Sequence, residues 1–157
     1  KIEGEFEKLS TLKPVNFQPV NVDLPLAIGI PTTYIPDQDL RLRLYRRLAN
    51  IVDESELDAI RIEFVDRFGE PPEMVENLFY QITVKMRAES VGLTSVTMSG
   101  GQIILRYPPL TEGQPTRILR NLGPAARKGK DAYWLTFGGA EDWPERLLNL
   151  LGEMGKP

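Results

Sequence analysis

From Val20 to Ile30 the apolar residues Val20, Val22, Leu24, Leu26 and Ile28 stand at alternate positions, the period of a half-buried strand. Pro25 removes one backbone donor from this run, which places the strand at a sheet edge or at a bulge. The period then lengthens. Pro36-Asp37 can cap a helix in which Leu40, Leu44, Leu48 and Ile51 recur at spacings of four, four and three, on one stripe, with Arg41, Arg43, Arg46 and Arg47 on its other faces. Asp53-Glu54-Ser55 starts a second helix with the stripe Leu57, Ile60, Phe64 and Phe68, and Gly69 suits the left-handed residue that commonly ends a helix. So short a connection makes the pair a helical hairpin. Pro71-Pro72 opens a third helix where a missing donor is harmless, and Val75, Leu78, Phe79, Ile82 and Met86 give it a broad apolar face up to Gly92.

The last third reads differently. Val96 and Met98 lead into Ser99-Gly100-Gly101, followed by Ile103, Leu105 and Tyr107, which predicts a β-hairpin turning on the glycines and stopped by Pro108 and Pro109. Thr116–Leu122 is expected as a short helix ended by Gly123, Ala132–Phe137 as a strand, and Asp142–Leu151 as a helix turning Trp143, Leu147, Leu148 and Leu151 inward. The expected class is α+β: a central helical group, the hairpin plus the long third helix, flanked by a small mixed or antiparallel sheet. Residues 1–19, mixing charges with Thr, Asn and Pro, read as a linker or extended arm, and 20–157 as a single α+β domain. There is no repeat of constant period.

Composition narrows the chemistry. The chain has 157 residues, of which 41% are apolar and 26% charged, enough to bury a core. No run approaches the roughly 18 apolar residues of a membrane span, so a cytoplasmic setting without membrane contact is expected. Lys1 stands where an initiator Met would, as in a fragment of a longer protein, although trimming would look the same. With no Cys, disulfides and thiolate chemistry are excluded; with no His, the commonest general base and metal ligand is missing. No cofactor is expected. A phosphate loop at Gly129-Lys130-Asp131 fails, because that motif needs a Gly at position 124, which is Pro, and a Ser or Thr at 131, which is Asp. Paired carboxylates at helical spacing on exposed faces keep near-normal pKa values and make poor acid–base pairs, so no enzymatic activity is expected of this chain.

Two charged stretches hold the interest. Between Gly113 and Lys130, Arg117, Arg120, Arg127, Lys128 and Lys130 occur without an acid, and Tyr133 and Trp134 follow. The pattern suits nucleic acid, and it equally suits a solvated basic turn with the aromatics in the core. A net charge of -3 argues against a dedicated nucleic-acid binder. From Ile51 to Glu76 there are nine acids against two bases. At about 100° per residue, Leu57, Ile60, Phe64 and Phe68 cluster within about 80°, while Glu56, Glu63 and Asp66 lie about 80 to 180° from that cluster's centre. These acids form either a solvated face, paired with arginines of the preceding helix, or a surface that meets a basic partner. Glu63 and Asp66, one turn apart, could engage a pair of Arg side chains, and Arg67 beside them adds the opposite charge.

Three segments carry a resemblance. Ala27-Ile28-Gly29-Ile30-Pro31-Thr32-Thr33-Tyr34-Ile35, then Asp37 with Leu40-Arg41-Leu42-Arg43-Leu44-Tyr45-Arg46-Arg47-Leu48, and then Arg61-Ile62-Glu63-Phe64-Val65-Asp66-Arg67-Phe68-Gly69-Glu70-Pro71-Pro72, resemble the C-terminal domain of bacterial transcription-repair coupling factors (Mfd). The similarity runs from about Val20 to Tyr107, and residues 108–157 rest on pattern alone. It implies a regulatory, non-catalytic domain of an ATP-driven DNA translocase, whose ATPase motifs lie outside this chain and which displaces stalled RNA polymerase from DNA and recruits the excision-repair protein UvrA. It further implies that the domain docks on the UvrB-like N-terminal module of the same protein and covers its UvrA-binding surface. Glu63 and Asp66 match the family's acidic positions at that contact, and Arg67 belongs to the same motif.

Overall fold

The computed structural model describes residues 20–156, and the segment 1–19, expected as a linker or arm, lies outside them. The described residues form the expected α+β class, with four α-helices and a five-stranded mixed sheet. They divide into two compact units, Leu26–Met86 and a second composed of Val20–Pro25 with 87–156.

The first unit is built on helices α1 (Gln38–Ala49), α2 (Glu54–Phe68) and most of α3 (Glu73–Ser90). Local chemistry sets their starts. Asp37 Oδ1 accepts the amides of Asp39 and Leu40, and Asp53 Oδ1 accepts the amide of Glu56 at 2.9 Å, so each carboxylate satisfies donors that a helix start leaves unpaired. The predicted stripes meet in one core, where Leu44, Leu48, Ile51, Leu57, Ile60 and Phe64 are buried with Val75, Leu78, Phe79 and Ile82 of α3. Phe64 packs edge-on against Phe68 and Phe79, with ring centroids at 5.6 and 5.3 Å. Gly69 ends α2 at φ 89°, ψ −171°, a conformation open to glycine and strained for other residues, and its carbonyl accepts the Tyr34 hydroxyl at 2.8 Å.

Two expectations are corrected here. The strand over 20–30 is only β1 (Asn21–Asp23). Beyond Pro25 the chain leaves the sheet, and helices supply its partners. Ile30 N–H donates to the Tyr45 hydroxyl at 2.7 Å, Gly29 N–H to the Met74 carbonyl at 3.2 Å, and Asn77 Nδ2 to the Ala27 carbonyl at 3.0 Å. Arg41 is not on an outer face. It is 8% exposed, and its Nη1 donates to the carbonyls of Ile35 and Pro36, both at 2.9 Å.

The second unit carries the sheet, in the order β1-β2-β3-β5-β4. β2 (Ser95–Ser99) runs parallel to β1 and antiparallel to β3 (Gln102–Arg106); β5 (Ala132–Leu135) lies antiparallel to both β3 and β4 (Ala126–Lys128). Gly100 and Gly101, at φ 58° and 75°, make the expected two-residue turn, whose twist matches the strands it joins. Alternate residues Val96, Ile103, Leu105, Tyr133 and Leu135 are buried. Helix α4 (Trp143–Met154) buries Leu147 and Leu151 and follows a 3-10 turn, Thr136–Gly139, which cuts short the strand expected to reach Phe137.

Thr116–Leu122, expected as a helix, has no regular structure. Its polar groups are satisfied otherwise: the carbonyls of Leu119 and Arg120 accept from Lys128 Nζ and the Tyr133 hydroxyl, and the Arg120 guanidinium donates to the carbonyls of Glu153 and Lys156. Pro124 restricts the residue before it and so limits the segment only at its far end. Part of the basic stretch expected as a turn is instead strand β4.

Candidate interaction surface on the second helix

Helix α2 presents Glu63, Asp66 and Arg67, and the structure gives each a different environment. Glu63 is half-buried and held from two sides. Arg47 on α1 donates through Nη1 and Nη2 to its two carboxylate oxygens, at 2.8 and 3.1 Å, and Arg67 Nη1 donates to Oε2 at 2.9 Å. The hydrogen bonds from Arg47, then those from Arg67, lower its pKa to about 2. Arg67 also lies over the Phe68 ring, 4.9 Å from its centroid. Glu63 and Arg67 thus already use the charges that were expected to face a partner. Asp66 is exposed and forms no ion pair among the described residues.

The other cation on α2 is similarly committed. Arg61 forms a bidentate pair with Glu76 of α3, Nε to Oε1 at 3.0 Å and Nη2 to Oε2. Arg47 was the unspecified arginine of the preceding helix. Sequence reasoning missed Ile62 and Val65, which are 63% and 37% exposed on the same helix. A signal was present, because on the helical wheel Ile62 falls about 160° from the centre of the buried stripe.

Of the basic residues singled out for nucleic acid, Arg117 and Arg120 line one pocket beside Tyr107 and Tyr133, and Arg127, Lys128 and Lys130 do not join them there. Arg117 donates to the Pro108 carbonyl and to Asp131 Oδ1, at 3.1 and 3.0 Å, and stacks on Tyr107. Arg120 and Lys128 donate to backbone carbonyls of Glu153, Lys156 and Leu119. Arg127 lies 4.6 Å from the centroid of the Trp134 ring, its neighbour across the β4–β5 pair, and Lys130 is exposed in the turn. Arg127 and Lys128 are successive on a strand and point to opposite sides of it. Among the described residues no group of acids is arranged to hold a metal ion, and no helix is long and apolar enough to cross a membrane.

The candidate residues of α2 thus sit on an exposed helix face of the first unit. The family model of the TRCF domain matches residues 24–118, more than half of the chain, and the chain belongs to that family. The transcription-repair-coupling factor of Mycobacterium tuberculosis is 32% identical over 108 residues, covering 68% of this chain and 9% of that protein. That of Escherichia coli K12 is 31% identical over 83 residues, 53% of this chain and 7% of its own length, and that of Buchnera aphidicola 28% over 90 residues, 57% and 11%. This chain therefore spans about a tenth of its curated relatives. Its fold matches the crystal structure of a C-terminal domain of transcription-repair coupling factor with a TM-score of 0.68 at 21% identity, over 88% of this chain and 93% of the other.

Proposed function

We propose that this chain is an autoinhibitory, non-catalytic domain that docks on the UvrB-like N-terminal module of its own protein and masks the UvrA-binding surface there. The observation that carries the reading is the outward face of α2, where Asp66 stands exposed and unpaired one turn from Glu63. On this reading the parent protein is a DNA translocase acting on stalled RNA polymerase, and closure is a modest interdomain contact that a competing interaction can open. Charged contacts suit such a switch because part of their strength is returned to solvent on opening. Glu63 supports it in a particular way, since its two internal arginine partners can hold it ready while a basic partner competes for the same oxygens.

The test is UvrA binding by the full-length protein with Glu63 and Asp66 both replaced by Ala, with folding checked by circular dichroism. The masking role predicts tighter UvrA binding. Unchanged affinity in a folded variant sinks the role of these two residues.

A further inference from the structure

Four large hydrophobic side chains are exposed among the described residues: Val52 at 79%, Ile62 at 63%, Val65 at 37% and Ile118 at 94%. Two of them, Ile62 and Val65, lie three residues apart on α2 and so are neighbours on its surface. Neither is among the buried core residues, which on this helix are Leu57, Ile60 and Phe64. Asp58 and Asp66 flank Ile62 at four residues before and after it, are both exposed, and form no ion pair among the described residues. The cations beside this face are occupied, Arg61 by Glu76, and Arg47 and Arg67 by Glu63. What is left unpartnered is an apolar centre with an acidic rim.

We propose that Ile62 and Val65 are the anchor of the contact made by α2, and that the surface they meet is an apolar patch rimmed by Arg or Lys on a module of the same polypeptide outside this chain. The inference rests on the docking reading above and changes which residues carry it. Two observations choose this occupant. The unpaired charges on the rim are acids, so the complementary rim is basic, and relatives of this chain are about five to eight times its length, so on the docking reading most of the parent polypeptide lies outside it. Anchors of protein contacts are central, desolvated side chains ringed by polar groups of lesser weight, the arrangement seen here. Glu63 is then a positioning residue. It fixes Arg47 and Arg67 beside the patch, so that neither cation swings over the acidic rim.

The experiment uses the full-length parent protein and measures its affinity for UvrA in four forms: unaltered, truncated to remove this chain, carrying Ile62→Ser with Val65→Ser, and carrying Ile118→Ser as a control of equal chemistry. Truncation and the double substitution are both expected to strengthen UvrA binding, by about tenfold if two anchor side chains are lost, and the control is expected to match the unaltered protein. The gain from the double substitution is expected to persist at high salt, where a purely ionic contact would already have opened. If truncation leaves UvrA binding unchanged, the docking reading itself fails. If truncation strengthens binding but the Ile62→Ser, Val65→Ser form does not, the docking reading stands and this inference is overturned. An effect of Ile118→Ser equal to that of the double substitution overturns it too. So does sedimentation of the 157-residue chain as a dimer that the double substitution dissolves, because the occupant is then a second copy.

Discussion

Arg47 on α1 grips Glu63 on α2 with two parallel hydrogen bonds, and Arg67 holds the same carboxylate from one turn along its own helix. The group is held to a pKa of about 2, below its ordinary 4.5, first by the bonds from Arg47. A carboxylate lowered on folding stabilises the fold above its unfolded pKa, and that contribution is lost as pH falls through the folded value. Glu63→Gln should therefore cost about 0.2 to 1 kcal/mol at neutral pH, the range of a partly exposed pair. The gap from the unaltered chain should close progressively between pH 4.5 and about 2. Urea unfolding of both forms across that window checks this. A gap independent of pH would show that the ion pairs contribute nothing.

Tyr45 is fully buried, and its hydroxyl accepts the Ile30 amide at 2.7 Å. Tyr45→Phe keeps the ring and leaves a buried N–H without its partner, which costs about 1 to 3 kcal/mol. The midpoint of chemical denaturation should fall with an unchanged slope. An unaltered midpoint would mean that water or a backbone shift satisfies the amide.

The helical hairpin was legible because its signals are local. Stripes repeat every three or four residues, Asp37 and Asp53 stand where caps belong, and Gly69 follows the last apolar position. Leu24, Leu26 and Ile28 misled because this segment alternates covered and exposed side chains without joining a sheet beyond Asp23. Its partners Tyr45, Met74 and Asn77 lie far along the chain, where no periodicity reports them. The site was half legible for the same reason. The wheel placed Glu63 and Asp66 outward, but only the folded hairpin brings Arg47 to Glu63 across 16 positions. Ile62 was visible as an apolar residue on the wrong side of the wheel. A search for stripes passes over a residue that breaks one.

Arg41 shows how a charge that reads as solvated can be structural. Its guanidinium is buried and bridges the carbonyls of Ile35 and Pro36, tying the turn before α1 to the helix. Arg41→Met retains most of the apolar stem and removes the donors, so the two carbonyls lose bonds to a charged group. The expected cost is about 1.5 to 3 kcal/mol, against less than about 0.5 kcal/mol for Arg43→Met on the exposed face of the same helix. Thermal unfolding of the two variants side by side gives the comparison. Equal losses would place Arg41 among the surface arginines.

Gly129 lies against the face of Trp134, where a methyl group at Cβ would come within 2.2 Å of the ring. The same ring carries the Arg127 guanidinium, so the indole is stacked by a cation from β4 and crowded by backbone in the β4–β5 turn. Gly129→Ala must move the indole, because an overlap of this size exceeds what small adjustments absorb. The expected loss is about 1 to 3 kcal/mol, typical of overpacking, with a change in Trp134 fluorescence as the ring leaves its place. Trp143 also emits, so the measurement uses a Trp143→Phe background. Arg127→Ala in that background separates two contributions: it removes the cation and keeps the glycine contact, and should cost only about 0.5 to 1 kcal/mol, as expected of a cation–π pair at an exposed site. A Gly129→Ala chain with unchanged stability and emission would show that the ring is free to rotate away, and that the stack does not hold the β4–β5 hairpin.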